Sequence, residues 1–98
     1  EAARDLEQCL RLDPRELEAF ALLGSARLAL GEPAAARAAF ARLGEHAPRD
    51  ARGPLGLARA AHALGEHARA AEELARAREL APEHPELSEV ARLLEGPP

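Results

Sequence analysis

The 98-residue chain contains no Ile, Thr, Asn, Lys, Met, Tyr or Trp, a single Val and two Phe. A β-sheet fills its pleated surface with β-branched and aromatic side chains, so their near-absence excludes a sheet fold. The one cysteine, Cys9, cannot close an internal disulfide, and the fold therefore does not depend on an oxidising compartment. Cytoplasm and periplasm are both compatible with that. Arg or Glu interrupts the apolar runs every few residues, which excludes direct membrane insertion, and no charged-then-apolar start resembles a secretory signal. Basic stripes and stacking aromatics are missing too, which argues against a nucleic-acid partner. The net charge of −4 is uneven: residues 15–82 hold ten Arg against nine acids, while both ends are acidic.

What is present is 25 Ala, 17 Leu, 14 Glu and 13 Arg, all good helix formers, so the chain reads as all helix. Arg without Lys points to coding from a G+C-rich genome rather than to heat adaptation, whose signature favours Lys with Glu.

Self-similarity organises this composition. Pro14, Pro48 and Pro82 are spaced by 34 residues, as are Gly31 and Gly65. Ala2, Ala36 and Ala70 keep the same step, and so do Leu6, Phe40 and Leu74, and Leu23 and Leu57. Proline and glycine are scarce markers here, so the agreement identifies a repeat array. Within 15–48 the signals read helix, turn, helix. Phe20, Leu23 and Gly24 form an apolar stripe at helical spacing. Gly31 supplies the left-handed residue past a helix end, and Pro33 suits the start of the next helix. Ala36, Phe40 and Leu43 form the second stripe, and Pro48 closes the unit.

This pattern resembles the tetratricopeptide repeat, whose signature runs aromatic-x-x-Leu-Gly-x-x-Tyr, then Ala-x-x-x-Phe, then Pro. Phe20-x-x-Leu23-Gly24, Ala36-x-x-x-Phe40 and Pro48 match it; Leu57-Ala58, Ala70-x-x-x-Leu74 and Pro82 repeat it more loosely. The resemblance implies an all-α fold, a right-handed α-solenoid of antiparallel helix-turn-helix repeats. Its expected divisions are a second helix of a partial repeat at 1–14, full repeats at 15–48 and 49–82, and a capping helix and tail at 83–98. The stripe Leu87, Val90, Ala91, Leu94 faces inward in that cap, and Gly96-Pro97-Pro98 stops it. A start inside a second helix leaves Ala3, Leu6 and Leu10 uncovered, so the chain is expected to be a segment of a longer array.

Departures from the family pattern are informative. Arg27 and Ala61 stand at its large aromatic position, so packing there is expected to be thin, or Arg27 to lie flat with its head in water. Pro54, beside Gly53, replaces the aromatic matched by Phe20 and weakens the start of that helix. Small residues at Gly24, Ala58, Ala36 and Ala70 allow close helix approach.

No enzyme chemistry is legible. Cys9 lies on an apolar stripe with neither Lys nor His near it in the chain, which suits a packing cysteine. His46, His67 and His84 fall at or near helix ends, and His62 and His67, five apart across a turn, lack metal-ligand spacing. Ser25 and Ser88 belong to no Ser-His-acid order. Neither a metal, a cofactor nor a catalytic residue is expected.

Partner binding is the better expectation. In the family the first helices line the concave groove, which the resemblance assigns to Glu18, Ala21, Ser25 and Leu28, and to Arg52, Leu55, Arg59 and His62 of the next unit. Arg52 and Arg59 either pair internally, with Glu18 across the groove, or receive carboxylates from an acidic protein or peptide partner. The Lys- and Asn-based carboxylate clamp of chaperone-binding members is excluded, since Ala21, Ser25 and Gly56 occupy comparable places and only Arg52 is compatible. The expected role is a non-catalytic protein–protein interaction scaffold. The alternatives are an assembly module that self-associates through its N-terminal end, and an accessory domain of a longer enzyme or regulator.

Overall fold

The structure, a computed structural model, describes residues 17–95. Among these residues there are five helices and no strand: α1 (Leu17–Ala29), α2 (Pro33–His46), α3 (Arg52–Ala63), α4 (His67–Leu80) and α5 (Leu87–Glu95). The expected helix at 1–14, with Ala2, Ala3, Leu6, Cys9, Leu10 and Pro14, lies outside the described residues, as does the Gly96-Pro97-Pro98 stop.

The two tight turns are built alike. Gly31 and Gly65 adopt φ of 76° and 79°, a conformation costly for a residue with a Cβ. At the first turn Gly31 N–H donates to Leu28 O (3.1 Å) and Glu32 N–H to Arg27 O (2.8 Å). At the second, Gly65 N–H donates to His62 O (3.0 Å) and Glu66 N–H to Ala61 O (2.9 Å). These reverse bonds satisfy carbonyls that the ending helix would leave orphaned. Pro33 then opens α2, where its missing N–H has no intrahelical acceptor to lose.

Packing between elements gives the molecule two unlike sides. α1 packs on α2, α2 on α3, α3 on α4 and α4 on α5, while α3 also meets α1 and α5. The Cα atoms of α2 and α4 stay more than 8 Å apart. The first helices of successive units therefore form the inner side of a solenoid and the second helices its outer side.

Phe40, on α2, is the centre of the packing. A Cβ added at Gly24 of α1 would lie 2.5 Å from its ring, and one at Gly56 of α3 only 2.2 Å. The ring is thus clasped between two glycine faces of successive first helices. Ala19, Phe20, Leu23, Ala39 and Leu43 form one core cluster, with Phe20 stacked on His46 at 5.6 Å. A second cluster joins Ala51, Leu55, Ala58, Leu74 and Ala77 to Leu87 and Val90 of α5.

Two expectations are modified. Pro54 sits in the first turn of α3, where proline is tolerated, and that start is reinforced: Asp50 Oδ1 accepts Arg52 N–H at 2.9 Å. The Arg27 side chain lies flat, only 15% exposed, and its head is in addition tied to the turn, Nη1 lying 2.5 Å from Oε1 of the exposed Glu32.

Candidate functional site

The inner side presents residues of α1, α3 and the turn into α5. Glu18 and Ser25 are exposed on α1, and Ala21 and Leu28 are half-buried. On α3, Arg52, Arg59 and His62 are half-buried. Leu55 is corrected: it is 2% exposed, enclosed by the cluster containing Leu74, Leu87 and Val90, and is not presented to a ligand. The physical reason is the position of α3. A helical wheel assumes one buried stripe, whereas α3 is contacted by α1, α2, α4 and α5, so apolar residues on more than one of its sides are covered.

The arginines on this side are internally paired. Arg52 Nη1 donates to Glu18 Oε2 at 2.8 Å, linking residues 34 positions apart on successive first helices. Its Nε and Nη2 also grip Asp50, at 3.1 Å and 2.7 Å from the two carboxylate oxygens. Hydrogen bonding to Arg52 holds the Asp50 carboxyl below the usual carboxylate range against a smaller opposing effect of burial, and Asp50 in turn pushes the Arg52 guanidinium further up. Arg59 Nη2 donates to Glu86, just before α5. Glu86 is itself placed by a local turn, its N–H donating to His84 Nδ1 at 3.1 Å. That contact requires an unprotonated Nδ1.

Two carboxylates of this arrangement, Asp50 and Glu86, had not been picked out from the sequence. The period carries a signal for them. Glu18, Arg52 and Glu86 occupy equivalent positions 34 apart, and Asp50 and His84 do likewise two residues earlier. Asp50 and His84 both accept a backbone N–H from the residue two positions on. Glu18 and Arg52 do meet one period apart, whereas Glu86 pairs with Arg59, 27 residues before it, and Asp50 with the nearby Arg52.

Among the described residues no group of three or more His, Cys, Asp or Glu side chains is arranged to hold a metal ion. His62 and His67 meet edge to face at 5.6 Å as a pair. No described helix is long and apolar enough to cross a membrane.

A tetratricopeptide repeat family model matches residues 1–53. No curated protein sequence matches the chain. Among solved structures, the Yersinia enterocolitica type III secretion chaperone SycD, in complex with a peptide of the translocator YopD, superposes with a TM-score of 0.82 at 25% identity; the match covers 95% of this chain and 71% of that one. A second structure of the translocator chaperone SycD from the same organism gives 0.83 at 26% identity, over 95% of this chain and 67% of that one.

Proposed function

The chain belongs to the tetratricopeptide repeat family, and from that premise we propose that it is a non-catalytic scaffold that binds a peptide or protein segment on its inner face. The observation that carries this reading is the likeness of the fold to a peptide-holding chaperone; Arg52 and Arg59 are paired with carboxylates of the chain itself, so a partner's acid must exchange with one of these to be received. The similar SycD structure holds a translocator peptide, which supports the same mode of action here.

The two arginines are not equivalent in this reading. Arg52 is held by a two-point grip on Asp50 and keeps that partner whatever happens to Glu18. Arg59 has one carboxylate contact, with the partly exposed Glu86, and partly exposed pairs are worth at most about 1 kcal/mol. An acidic group on the partner exchanges with Glu86 at little net cost and gains a charge-assisted hydrogen bond. Glu18, Ser25, Leu28 and His62 flank the same path. The expected affinity is about micromolar, on the order of −8 kcal/mol.

Selecting a displayed random peptide library on the full chain and retesting the binders on variants tests this. Peptides with acidic residues are expected, with affinity reduced about tenfold by Arg59→Ala and raised by Glu86→Gln. Binders indifferent to both substitutions would remove the inner face from consideration.

A further inference from the structure

Two successive turns share one backbone design and differ in a single side chain. Asp50 N–H donates to Ala47 O at 3.0 Å and Gly53 N–H to Asp50 O at 3.1 Å. One period later His84 N–H donates to Ala81 O at 3.0 Å and Leu87 N–H to His84 O at 3.2 Å. In both turns the side chain of that residue accepts the N–H two positions on: Asp50 Oδ1 from Arg52 at 2.9 Å, His84 Nδ1 from Glu86 at 3.1 Å. The first turn opens α3 and the second α5. A carboxylate accepts at any pH above its acidic range. An imidazole accepts only through an unprotonated nitrogen, and imidazoles ordinarily change charge between about pH 5 and 8.

The residue that His84 holds is the one paired with Arg59. Glu86 lies between the two: its N–H goes to His84, its carbonyl accepts Val90 N–H at 3.0 Å in the first turn of α5, and its carboxylate accepts from Arg59 of α3. A proton on Nδ1 would set N–H against N–H at a helix start, where the backbone already carries partial positive charge. The charged surroundings then decide where the ring goes. Asp50, before α3, lies within electrostatic reach: its carboxyl is held low by Arg52 first and more weakly by the charge of His84. Arg52 and Arg59 of α3 oppose a cation, and Glu86 itself is committed to Arg59. The charged residues ending α4, Arg78 and Glu79, and the adjacent Glu83 are exposed. A protonated ring is therefore drawn towards Asp50 and away from the Glu86 N–H.

We propose that His84 is a pH-sensitive latch on the start of α5. Neutral, it holds Glu86 in place against Arg59; protonated, it releases the Glu86 N–H and loosens the pair with Arg59. The sister turn, built on Asp50, stays closed over the same range. The consequence for a bound segment rests on the function proposed above. Below the imidazole range but above the carboxylate range a partner's acids stay ionised, so mild acidification favours their exchange onto Arg59.

NMR of the full chain from about pH 8 to about pH 5 reads the latch with no partner present. The Glu86 amide is expected to lose about tenfold in hydrogen-exchange protection at the midpoint of the His84 ring signals, and the Arg59 Nε–H signal to move with it. The Arg52 amide, held by Asp50, keeps its protection. His84→Asp copies the sister turn and is expected to keep the Glu86 amide protected throughout, whereas His84→Ala leaves it unprotected at every pH. Should His84→Ala fail to fold by circular dichroism, the unmodified chain and His84→Asp still decide. Arg59-dependent acidic peptides are expected to bind severalfold more tightly at about pH 5.5 than at about pH 7.5, and equally at both in His84→Asp. A library without such peptides counts against the inner-face function alone, since the NMR titration judges the latch separately. Constant Glu86 protection through the His84 titration, a loss that persists in His84→Asp, or an Arg59 signal that stays still while the Glu86 amide opens would each overturn the proposal.

Discussion

The helix pairs α1–α2 and α3–α4 share a turn geometry but are filled differently. The first pair buries Phe20, Leu23, Phe40 and Leu43; the second relies on Leu55 and Leu74 with Ala58, Ala61, Ala70 and Ala77. Equivalent glycines, Gly31 and Gly65, nonetheless have φ within 3° of each other and the same reverse hydrogen bonds. Helix-turn-helix geometry here is thus set by the turn and by small residues at the contacts, not by side-chain volume. The volume shortfall of the second pair surfaces beside Ala61 as an outer cavity of about 200 Å³.

Several substitutions sharpen that contrast. The largest expected effect is at Phe40, 3% exposed and clasped by Gly24 and Gly56: Phe40→Ala should cost about 3–5 kcal/mol in chemical denaturation. Its counterpart Leu74→Ala, at 8% exposure in the thinner pair, should fall near the lower end of about 2–5 kcal/mol. A larger loss at Leu74 than at Phe40 would break the comparison.

Next come paired overpacking tests. Ala36 is 0% exposed with no cavity beside it among those described, so Ala36→Leu should destabilise by about 1–3 kcal/mol. Ala61→Leu places the same added atoms against the 200 Å³ cavity and should be neutral or raise the melting temperature. Equal melting shifts for the two would show that the packing of the pairs is alike after all.

Gly31→Ala and Gly65→Ala should each cost about 1–2 kcal/mol, and equally, because both residues hold a left-handed φ with open space around them. Unequal losses would locate a difference in the turns themselves.

The smallest effect is electrostatic and belongs to the junction between the pairs. The Arg52 grip holds the folded Asp50 pKa below its ordinary value of 3.8. A carboxyl with a depressed folded pKa contributes stability that is present above the unfolded pKa and lost as pH falls through the folded one. Acid melts should therefore show a loss of less than about 1 kcal/mol starting near pH 4, absent in Asp50→Asn. An unchanged acid profile in that variant would discount the grip.

Legibility in the sequence followed locality. Gly31, Gly65 and Pro33 act through their own backbones, and their marks were readable at single positions. Glu18 pairing with Arg52 was readable because the period places them side by side. Leu55 was misassigned and Glu86 overlooked for the same reason: both depend on α5 folding back against α3, a contact that no single-helix pattern encodes. Asp50 was overlooked because its partners are a backbone N–H and a side chain of the following turn.

By itself, the sequence determined that the chain is helical, where each helix pair turns, and that neighbouring first helices lie in register. The scarcity of β-branched and aromatic residues, the glycines and prolines, and the 34-residue spacing act locally or by repetition. Only the tertiary structure decided which sides of α3 are covered, which carboxylate holds Arg59, and that the missing bulk at Ala61 leaves a cavity on the outer side. Burial and charge pairing depend on neighbours from several elements at once, and those neighbours are assembled only when α1, α2, α4 and α5 close around α3.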